Sequence, residues 1–302
     1  MLYKDLGQTG TRIPEIGIGT WNYHAGPRPL RRGLDAGALL IDTAESYGTE
    51  STVREAIFGL GKRVFVATKV SPQNFKAADL KRSVDGSLKQ LGIERIDLLQ
   101  LHEPNASIPI EETMGTLARL LETGKIRFAG VSNFSVKQLQ DAQAAFGPYR
   151  IASNQVRYNL IDRTIEKELA QYCRTNGISI IAYCPLARGL DRLRDCDPTG
   201  ALDQLAGQLG KSPAQIALNW LLCHDGVVVI PKGNSEEHIL ENCGASGWRL
   251  SSEHLELLDS RIRFRHRTGF DSLIRQAMPG GLQACAKRVL NYLPSSVRRR
   301  IQ

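Results

Sequence analysis

The sequence lacks the patterns that mark membrane proteins and disulfide-rich secreted proteins. No apolar run approaches the roughly 20 residues that span a bilayer. The first ten residues do not place an apolar stretch after a basic one, so we expect no export signal. The six cysteines include no C-x-x-C pair. We therefore expect a cytoplasmic protein whose thiols are reduced.

Several chemical motifs are also missing. There is no H-x-x-x-H or comparable metal-ligand spacing, and no motif that activates a serine or cysteine nucleophile. The first strand-like segment runs into GIGTWNYHAG, which lacks the G-x-G-x-x-G spacing of a doubly wound dinucleotide-binding sheet. We accordingly expect no metal site and no Rossmann-type phosphate loop.

The net positive charge lies at the end of the chain, and the rest of the chain is almost neutral. The formal net charge is +8, and residues 261–302 contain ten Lys/Arg and one Asp. The first 260 residues therefore carry the remaining net charge of −1. This division predicts one domain over residues 1–260 and a basic C-terminal extension over residues 261–302.

The extension has apolar residues at helical spacing, at Leu282, Ala286, Val289 and Leu293. This spacing predicts a partly helical tail that packs on its own domain. The alternative is a basic amphipathic helix in peripheral contact with an anionic membrane or an acidic partner. Because the charge is confined to the tail and no motif accompanies it, we expect no nucleic-acid binding.

Eight strand-like segments alternate with segments of helical period in the first 260 residues. Several of these segments are continuous and rich in β-branched residues, as in strands buried on both faces. The alternation predicts an α/β protein with a (β/α)8 TIM barrel, and an open doubly wound sheet is the alternative. The predicted strands are residues 16–20, 39–42, 64–69, 96–102, 126–133, 152–156, 178–183 and 227–232.

Polar residues stand at the carboxyl ends of seven predicted strands. In such a barrel these ends meet at one mouth, where active sites are built. Each residue alone has a structural explanation as a turn former, cap or surface residue. Their shared position predicts an active site. They are Asp42, Lys69, His102, Asn133, Gln155, Tyr183 and Lys232.

Four residues near this mouth suit proton transfer to a reduced carbonyl. A tyrosine with a pKa of about 10 donates a proton slowly at neutral pH. We expect the Lys69 ammonium to lower the pKa of Tyr47, and Asp42 to keep the lysine charged. His102 would hydrogen-bond the substrate oxygen or relay the proton.

Six segments, in order, resemble the motifs of the aldo-keto reductases: IDTAESYG, VATK, IDLLQLHEP, GVSNF, AYCPLARG and IPK…ILEN. The resemblance runs from about Leu6 to Leu258. It implies a (β/α)8 barrel that uses NADP(H) without a Rossmann fold to reduce an aldehyde or ketone. It makes Tyr47 the general acid, assisted by Asp42, Lys69 and His102, and it implies a monomer. It also implies a C-terminal segment that folds over the pocket, where Phe264 or Phe270 would reach the substrate.

The resemblance also implies a set of cofactor contacts. Ser132, Asn133 and Gln155 would hold the nicotinamide carboxamide, and Tyr183 would stack under the ring. The pattern departs from the family at the adenosine end, where Gly233 and His238 replace a serine and an arginine. NADP(H) is the expected cofactor, with NAD(H) as the alternative. The remaining implied contacts are Thr20, Pro185, Leu186, Arg188, Lys232, Asn234, Ser235, Glu241 and Asn242.

The substrate pocket is predicted from position alone. Trp21, Tyr23 and His24 follow the first strand, and Phe75 and Asn105 follow the third and fourth. These side chains suit a small carbonyl compound with an apolar body. Two other functions stay open. One is a cofactor-binding regulatory subunit with slow turnover, of the type that serves potassium channels as β subunits. The other is a barrel enzyme of different chemistry, such as an isomerase, which would give Tyr183 no role.

Overall fold

The computed structural model describes residues 1–266, and residues 1–265 form one compact unit. A short antiparallel hairpin precedes a sheet of eight parallel strands. The hairpin consists of β1 (Tyr3–Asp5) and β2 (Arg12–Pro14). The parallel strands are β3 (Ile18–Gly19), β4 (Leu40–Asp42), β5 (Phe65–Val70), β6 (Ile96–Leu101), β7 (Ile126–Ser132), β8 (Ile151–Arg157), β9 (Ser179–Tyr183) and β10 (Val227–Val229).

The parallel sheet closes on itself between its first and last strands. The Gly17 N–H donates to the Val229 carbonyl at 2.8 Å, and the Val229 N–H donates to the Glu15 carbonyl at 2.9 Å. A Cβ on Gly19 would lie 2.7 Å from the Ile230 carbonyl oxygen, so this close approach requires glycine. Closure of eight parallel strands confirms the predicted (β/α)8 barrel.

The helices lie between successive strands and after the last one. Ser212 caps its helix by accepting from the Gln215 N–H at 3.2 Å, and Pro213 lies in the first turn. The helices are α1 (Pro27–Asp35), α2 (Glu50–Ile57), α3 (Ala77–Leu91), α4 (Ile110–Glu122), α5 (Val136–Ala145), α6 (Leu169–Thr175), α7 (Leu190–Arg194), α8 (Ala201–Leu209), α9 (Pro213–Leu222), α10 (Glu236–Cys243) and α11 (Ser252–Arg261).

Two apolar cores hold the barrel together. One fills the space between the strands and the helices, and the other fills the barrel interior, where Leu40, Leu98 and Ile181 meet. Each fully buried side chain of this kind contributes about 1.5–3 kcal/mol. Because side chains alternate along a strand, the residues two positions further on also point inward. Those residues are Asp42, Gln100 and Tyr183, so the interior becomes polar toward the carboxyl ends.

The N-terminal hairpin contributes to the interior core. Its Leu6 and Ile13 belong to the same apolar cluster as Leu98. The Lys4 ammonium donates to the carbonyls of Leu222, His224 and Val227 at 2.7–2.9 Å. This hairpin was not predicted from the sequence, because its two strands are only three residues long.

The compact unit extends past residue 260. Ile262 is buried, and the N–H groups of Arg263 and Arg265 donate to the carbonyls of Cys196 and Ile161. The prediction of a helical tail, including Phe270 and Leu282–Leu293, concerns residues outside the described part of the chain. Within residues 1–266, no helix has the length and apolar character needed to cross a membrane.

Candidate active site

The mouth of the barrel gathers the polar residues that the sequence placed at strand ends. Asp42, Lys69 and Gln155 point inward from β4, β5 and β8. His102 follows β6 directly, and its N–H donates to the Val70 carbonyl at 3.0 Å, so the ladder continues through it. Parallel strands bring these side chains to one edge, and the alternation of side chains turns them to the interior.

A buried carboxylate organises the floor of this mouth. Lys69 donates to Asp42 Oδ1 at 2.5 Å and to the Thr43 carbonyl at 2.9 Å. Gln155 and Gln100 donate to Asp42 Oδ2 at 2.8 and 3.1 Å. All five residues are charged or polar, and each is at most 3% exposed. The donors from Lys69, Gln100 and Gln155 therefore hold the Asp42 carboxylate in one orientation, and the carboxylate in turn holds the Lys69 ammonium in place.

Gln100 was absent from the predicted site. Its signal was present in LLQLH, where Gln100 interrupts a buried apolar strand. Gln100 lies two residues before His102, so the two side chains point to the same, inward side.

Thr49 is a second residue of the mouth that was not predicted from the sequence. Its hydroxyl oxygen lies 3.0 Å from that of Thr20 and 2.9 Å from that of Thr43. Thr20, a predicted cofactor contact, is fully buried, and its hydroxyl donates to the Asp42 carbonyl.

Tyr47 lies above the buried ion pair. It ends a short 3-10 helix, Glu45–Tyr47, that follows β4. Its hydroxyl oxygen is 3.4 Å from His102 Nε2, and the two rings meet edge to face with centroids 5.5 Å apart. The Lys69 ammonium is 4.9 Å from the centre of the phenol ring. The phenol is thus within reach of both an imidazole and an ammonium.

Burial sets the protonation states of these groups. Burial, and then the negative charge of Asp42, raise the pKa of Tyr47. Burial also lowers the pKa of Lys69, against the opposing effect of Asp42. Burial and the charge of Lys69 lower the pKa of His102 to about 3. Tyr47 is therefore protonated and His102 neutral near pH 7.

The direction of the Tyr47 shift corrects our expectation from sequence. We expected the nearby ammonium to lower the pKa of the phenol. The structure shows that desolvation is the largest effect and acts in the opposite direction. The depth to which a loop buries its tyrosine is decided by tertiary packing, which the local sequence does not display.

A second polar chain lies beside the first. Tyr183 donates to Asn133 Oδ1 at 3.0 Å, and Asn133 Nδ2 donates to Ser132 Oγ at 3.1 Å. Ser132 Oγ donates to the Gln155 carbonyl at 2.9 Å. Asn133 adopts φ 62°, which costs about 1–3 kcal/mol in a non-glycine residue. A strained asparagine held by its own side chain is typical of functional sites.

The loop after β9 has the same kind of strain. Cys184, Ala187 and Arg188 adopt φ 50°, 54° and 73°. Pro185 is buried, Leu186 half-buried and Arg188 exposed. Turns of this kind direct backbone N–H groups toward one side, a geometry that binds anions.

The segment after β10 leads into α10. Lys232 donates to the Asn22 carbonyl at 3.2 Å, and Ser235 caps the helix by accepting from the His238 N–H at 3.2 Å. A Cβ on Gly233 would lie 2.8 Å from the Ile239 side chain and 2.9 Å from its backbone nitrogen. A serine at this position would therefore collide with α10. Of the other predicted contacts, Asn234 and His238 are exposed, Glu241 is half-buried and Asn242 is buried.

The predicted substrate pocket is only partly supported. Trp21 is 50% exposed, with the Arg188 guanidinium 5.7 Å from the centre of its ring. His24 Nε2 is 3.0 Å from Asn22 Oδ1. Asn105 is half-buried and donates to the Pro72 carbonyl at 2.8 Å. These three predicted residues lie in loops after β3 and β6.

Two predicted pocket residues belong to the core instead. Phe75 is 2% exposed and Tyr23 is 4% exposed, and both pack in the outer apolar core. The Tyr23 hydroxyl donates to the Gly26 carbonyl at 2.7 Å. Their positions after strands suggested the pocket, but both side chains are buried in the outer core.

The fold and this mouth define a (β/α)8 barrel with a protonated phenol above a buried ion pair. No group of His, Cys, Asp and Glu within residues 1–266 could hold a metal ion. The sequence model of the Aldo/keto reductase family matches residues 15–263, and the chain belongs to this family.

Several known proteins are similar over more than four fifths of this chain. Methylglyoxal reductase YeaE of Escherichia coli is 36% identical, over 82% of this chain and 90% of that protein. The aldo-keto reductase of Klebsiella pneumoniae in complex with NADPH is 36% identical, over 88% of this chain and 98% of that one, with a TM-score of 0.80. The thermostable aldo-keto reductase Tm1743, in complex with epalrestat, is 38% identical with a TM-score of 0.79, over 86% and 99% of the two chains.

Proposed function

We propose that this protein reduces an aldehyde or ketone with NADPH, and that Tyr47 supplies the proton. The observation that carries the proposal is the position of the Tyr47 hydroxyl, 3.4 Å from His102 Nε2 and above the Lys69–Asp42 pair. When bound, a reduced nicotinamide supplies a hydride to a carbonyl carbon. The residues of this chain then have to orient the carbonyl and protonate its oxygen.

Tyr47 and His102 divide this work. His102 is neutral at physiological pH, so its imidazole orients a carbonyl oxygen by hydrogen bonding without competing for the proton. Tyr47 keeps its proton until an alkoxide, a stronger base than a phenolate, develops beside it. The raised pKa of Tyr47 favours reduction over oxidation, because the reverse reaction needs the phenolate.

The residues at the mouth fit a nicotinamide dinucleotide. Asn133 and Ser132 offer amide and hydroxyl groups that suit a carboxamide, and the half-buried Tyr183 ring lies beside them. The strained loop at 184–188 presents a backbone turn that suits a diphosphate. At α10, the Ser235-capped N-terminus and Lys232 suit a phosphate on the adenosine ribose. The similarity to an NADPH-bound relative supports the same assignment.

The substrate is a small carbonyl compound in this proposal. Of the predicted pocket residues, Trp21 presents an exposed apolar ring, whereas His24 and Asn105 are polar. A small aldehyde or dicarbonyl therefore fits better than a large apolar molecule. The name of YeaE identifies methylglyoxal as the substrate of that relative, so methylglyoxal belongs in the first test panel.

The test compares the wild type with Tyr47→Phe, measuring NADPH consumption on methylglyoxal and a panel of aldehydes and ketones. We expect kcat/KM to fall by about 10²–10⁴-fold, because one general acid is lost. NADPH affinity should stay within about twofold, since the ring is retained. Tyr3→Phe, at an exposed tyrosine in β1, is the matched control and should leave both values unchanged.

The outcomes separate the candidate functions. Unchanged turnover in Tyr47→Phe would contradict the role of the phenol. Tight NADPH binding by the wild type without turnover of any carbonyl would contradict the reductase. That second outcome would favour the cofactor-binding regulatory role considered from the sequence.

A further inference from the structure

Thr49 lies two residues after Tyr47, at the position where α2 begins. A threonine here usually caps the helix by accepting a hydrogen bond from an N–H group of the first turn. The Thr49 side chain accepts no such bond from α2. Its hydroxyl oxygen lies instead 2.9 Å from that of Thr43 and 3.0 Å from that of Thr20. Helix initiation therefore does not explain this hydroxyl.

The three threonine hydroxyls form a hydrogen-bonded chain with one direction. The Thr20 hydroxyl donates to the Asp42 carbonyl at 3.0 Å. Because a hydroxyl has a single proton, Thr20 accepts from Thr49, and Thr49 accepts from Thr43. All three threonines are at most 5% exposed, and bonds in such a buried chain strengthen one another. The chain thus begins at Thr43 and returns to the neighbouring Asp42.

This chain joins the Tyr47 segment to the buried ion pair. The Thr43 carbonyl accepts from the Lys69 ammonium at 2.9 Å, and the same ammonium donates to the Asp42 carboxylate. The hydroxyl contact between Thr43 and Thr49 closes residues 43–49 into a loop, and Tyr47 lies within that loop. The loop therefore sets the distance between the phenol ring and the ammonium, which is 4.9 Å to the ring centre.

Neighbouring contacts hold the same segment from the opposite side. Glu45 accepts from the Ser71 N–H at 2.7 Å, and Glu50 accepts from the Thr68 hydroxyl at 2.8 Å. These two carboxylates tie residues 45–50 to β5 and to the residue that follows it. Thr49 adds bonds to residues that directly follow β3 and β4. The turn that contains the phenol is consequently fixed between three strands.

We propose that Thr49 is a positioning residue for Tyr47, and that its hydroxyl holds the phenol where it can protonate the carbonyl oxygen. This inference rests on the proposed function and deepens it. Thr49 acts through the geometry of the 43–49 loop rather than by contact with the substrate. A displacement of about 1 Å in a reacting group can lower the rate by about 100-fold. Loss of the hydroxyl should therefore affect kcat more than binding.

The first test compares full-length wild type with Thr49→Val, which keeps the branched shape without the hydroxyl, and Thr49→Ser, which keeps the hydroxyl. On a carbonyl that the wild type reduces, Thr49→Val should lower kcat by about 10–100-fold. KM and the dissociation constant of NADPH should stay within about twofold. Thr49→Ser should keep kcat within about threefold of the wild type.

The solvent deuterium isotope effect on kcat adds a readout that is specific to proton transfer. It should increase in Thr49→Val, because protonation by Tyr47 is the step that becomes slower. The control is Thr116→Val, which removes a buried hydroxyl that donates to the Glu112 carbonyl within α4 at 2.8 Å. This control should change neither kcat nor the isotope effect.

A double variant separates positioning from stability. Thr49→Val leaves the buried Thr43 hydroxyl without its acceptor, so it should also lower the urea midpoint. Thr43→Val combined with Thr49→Val removes both partners, and its urea midpoint should return toward the wild-type value. Its kcat should stay low, because the 43–49 loop is still open. Recovery of kcat together with the midpoint would show a purely structural role and overturn the proposal.

Hydrogen exchange of residues 43–50 gives a readout that needs no turnover. The Tyr47 N–H donates to the Ala44 carbonyl at 3.0 Å, and it should exchange about tenfold faster in Thr49→Val than in the wild type. Unchanged exchange, unchanged kcat in Thr49→Val, or an equal loss of kcat in Thr49→Ser would each overturn the proposal. Absent turnover in the wild type would contradict the proposed function instead, and exchange would then decide whether Thr49 fixes Tyr47.

Discussion

Replacing Lys69 by methionine should destabilise the barrel because it leaves a buried charge alone. The Lys69 ammonium is fully buried and lies 2.5 Å from the Asp42 carboxylate, which is itself 4% exposed. Without the ammonium, the carboxylate retains only the amide donors of Gln100 and Gln155. Removing one partner of a buried ion pair lowers the free energy of unfolding by about 3–5 kcal/mol. We expect Lys69→Met and Asp42→Asn each to have an effect of this size.

The double variant Asp42→Asn, Lys69→Met buries no charge. We expect its free energy of unfolding to exceed the value calculated by adding the two single effects by about 2–3 kcal/mol. Carbonyl reduction should fall by about 100-fold or more in all three variants, because Tyr47 loses its charged neighbours. Recovery of stability without recovery of activity would show that the ion pair serves the reaction rather than the fold.

Urea denaturation followed by circular dichroism measures these stabilities, and NADPH consumption measures the activity. Lys125→Met is the control, because its ion pair with Asp85 has the same 2.5 Å distance but lies on the surface, with the two side chains 40% and 54% exposed. Removing that pair should cost less than about 1 kcal/mol. If the effects of Asp42→Asn and Lys69→Met were simply additive, the electrostatic coupling inferred from the structure would be wrong.

Three further predictions concern pH, the α10 region and cofactor choice. The pKa of His102 is about 3 in the folded protein and about 6.5 in an unfolded chain, so only the unfolded state binds this proton between those values. Stability should fall as pH drops through that window, by about 2–3 kcal/mol from about pH 7.5 to about pH 4.5, and urea denaturation should show a smaller fall in His102→Gln. Gly233→Ser should lower the free energy of unfolding by about 1–3 kcal/mol in the same assay, because the new Cβ collides with Ile239. An unchanged urea midpoint would contradict this prediction. His238→Arg, at the exposed first turn of α10, should tighten binding of NADPH but not NADH by about tenfold, and equal effects on both would refute contact with the ribose phosphate.

The barrel and most of its polar mouth could be predicted because two patterns, apolar runs and the alternation of side chains along a strand, can be read within a few neighbouring residues. Continuous apolar runs identified β5 and β6, and alternation of side chains within each run decided which residues point inward. Asp42, Lys69 and His102 therefore came together in the structure as expected from their positions at strand ends. Gln100 carried the same signal and was overlooked only because it lies inside its strand.

The misassigned residues depend on packing between elements distant in sequence. Phe75 and Tyr23 follow strands, as pocket residues do, yet both rings turn into the outer core. The upward shift in the pKa of Tyr47 likewise follows from how far neighbouring elements remove its side chain from solvent. Neither burial nor side-chain direction in a loop is set by the few residues on either side.

Backbone strain separates the site from the rest of the molecule more sharply than composition does. Where the chain needs a left-handed residue for structure alone, as at the ends of α3 and α8, it uses Gly92 and Gly210. The five non-glycine residues with positive φ among residues 1–266 are Asn22, Asn133, Cys184, Ala187 and Arg188, all in loops after β3, β7 and β9. Such strain persists where the surrounding structure requires it, and it is concentrated in functional segments. For Asn133 the requirement is visible in its bonds to Tyr183 and Ser132. The loop at 184–188 has three such residues in five, so it is the segment that the backbone marks most strongly as part of the site.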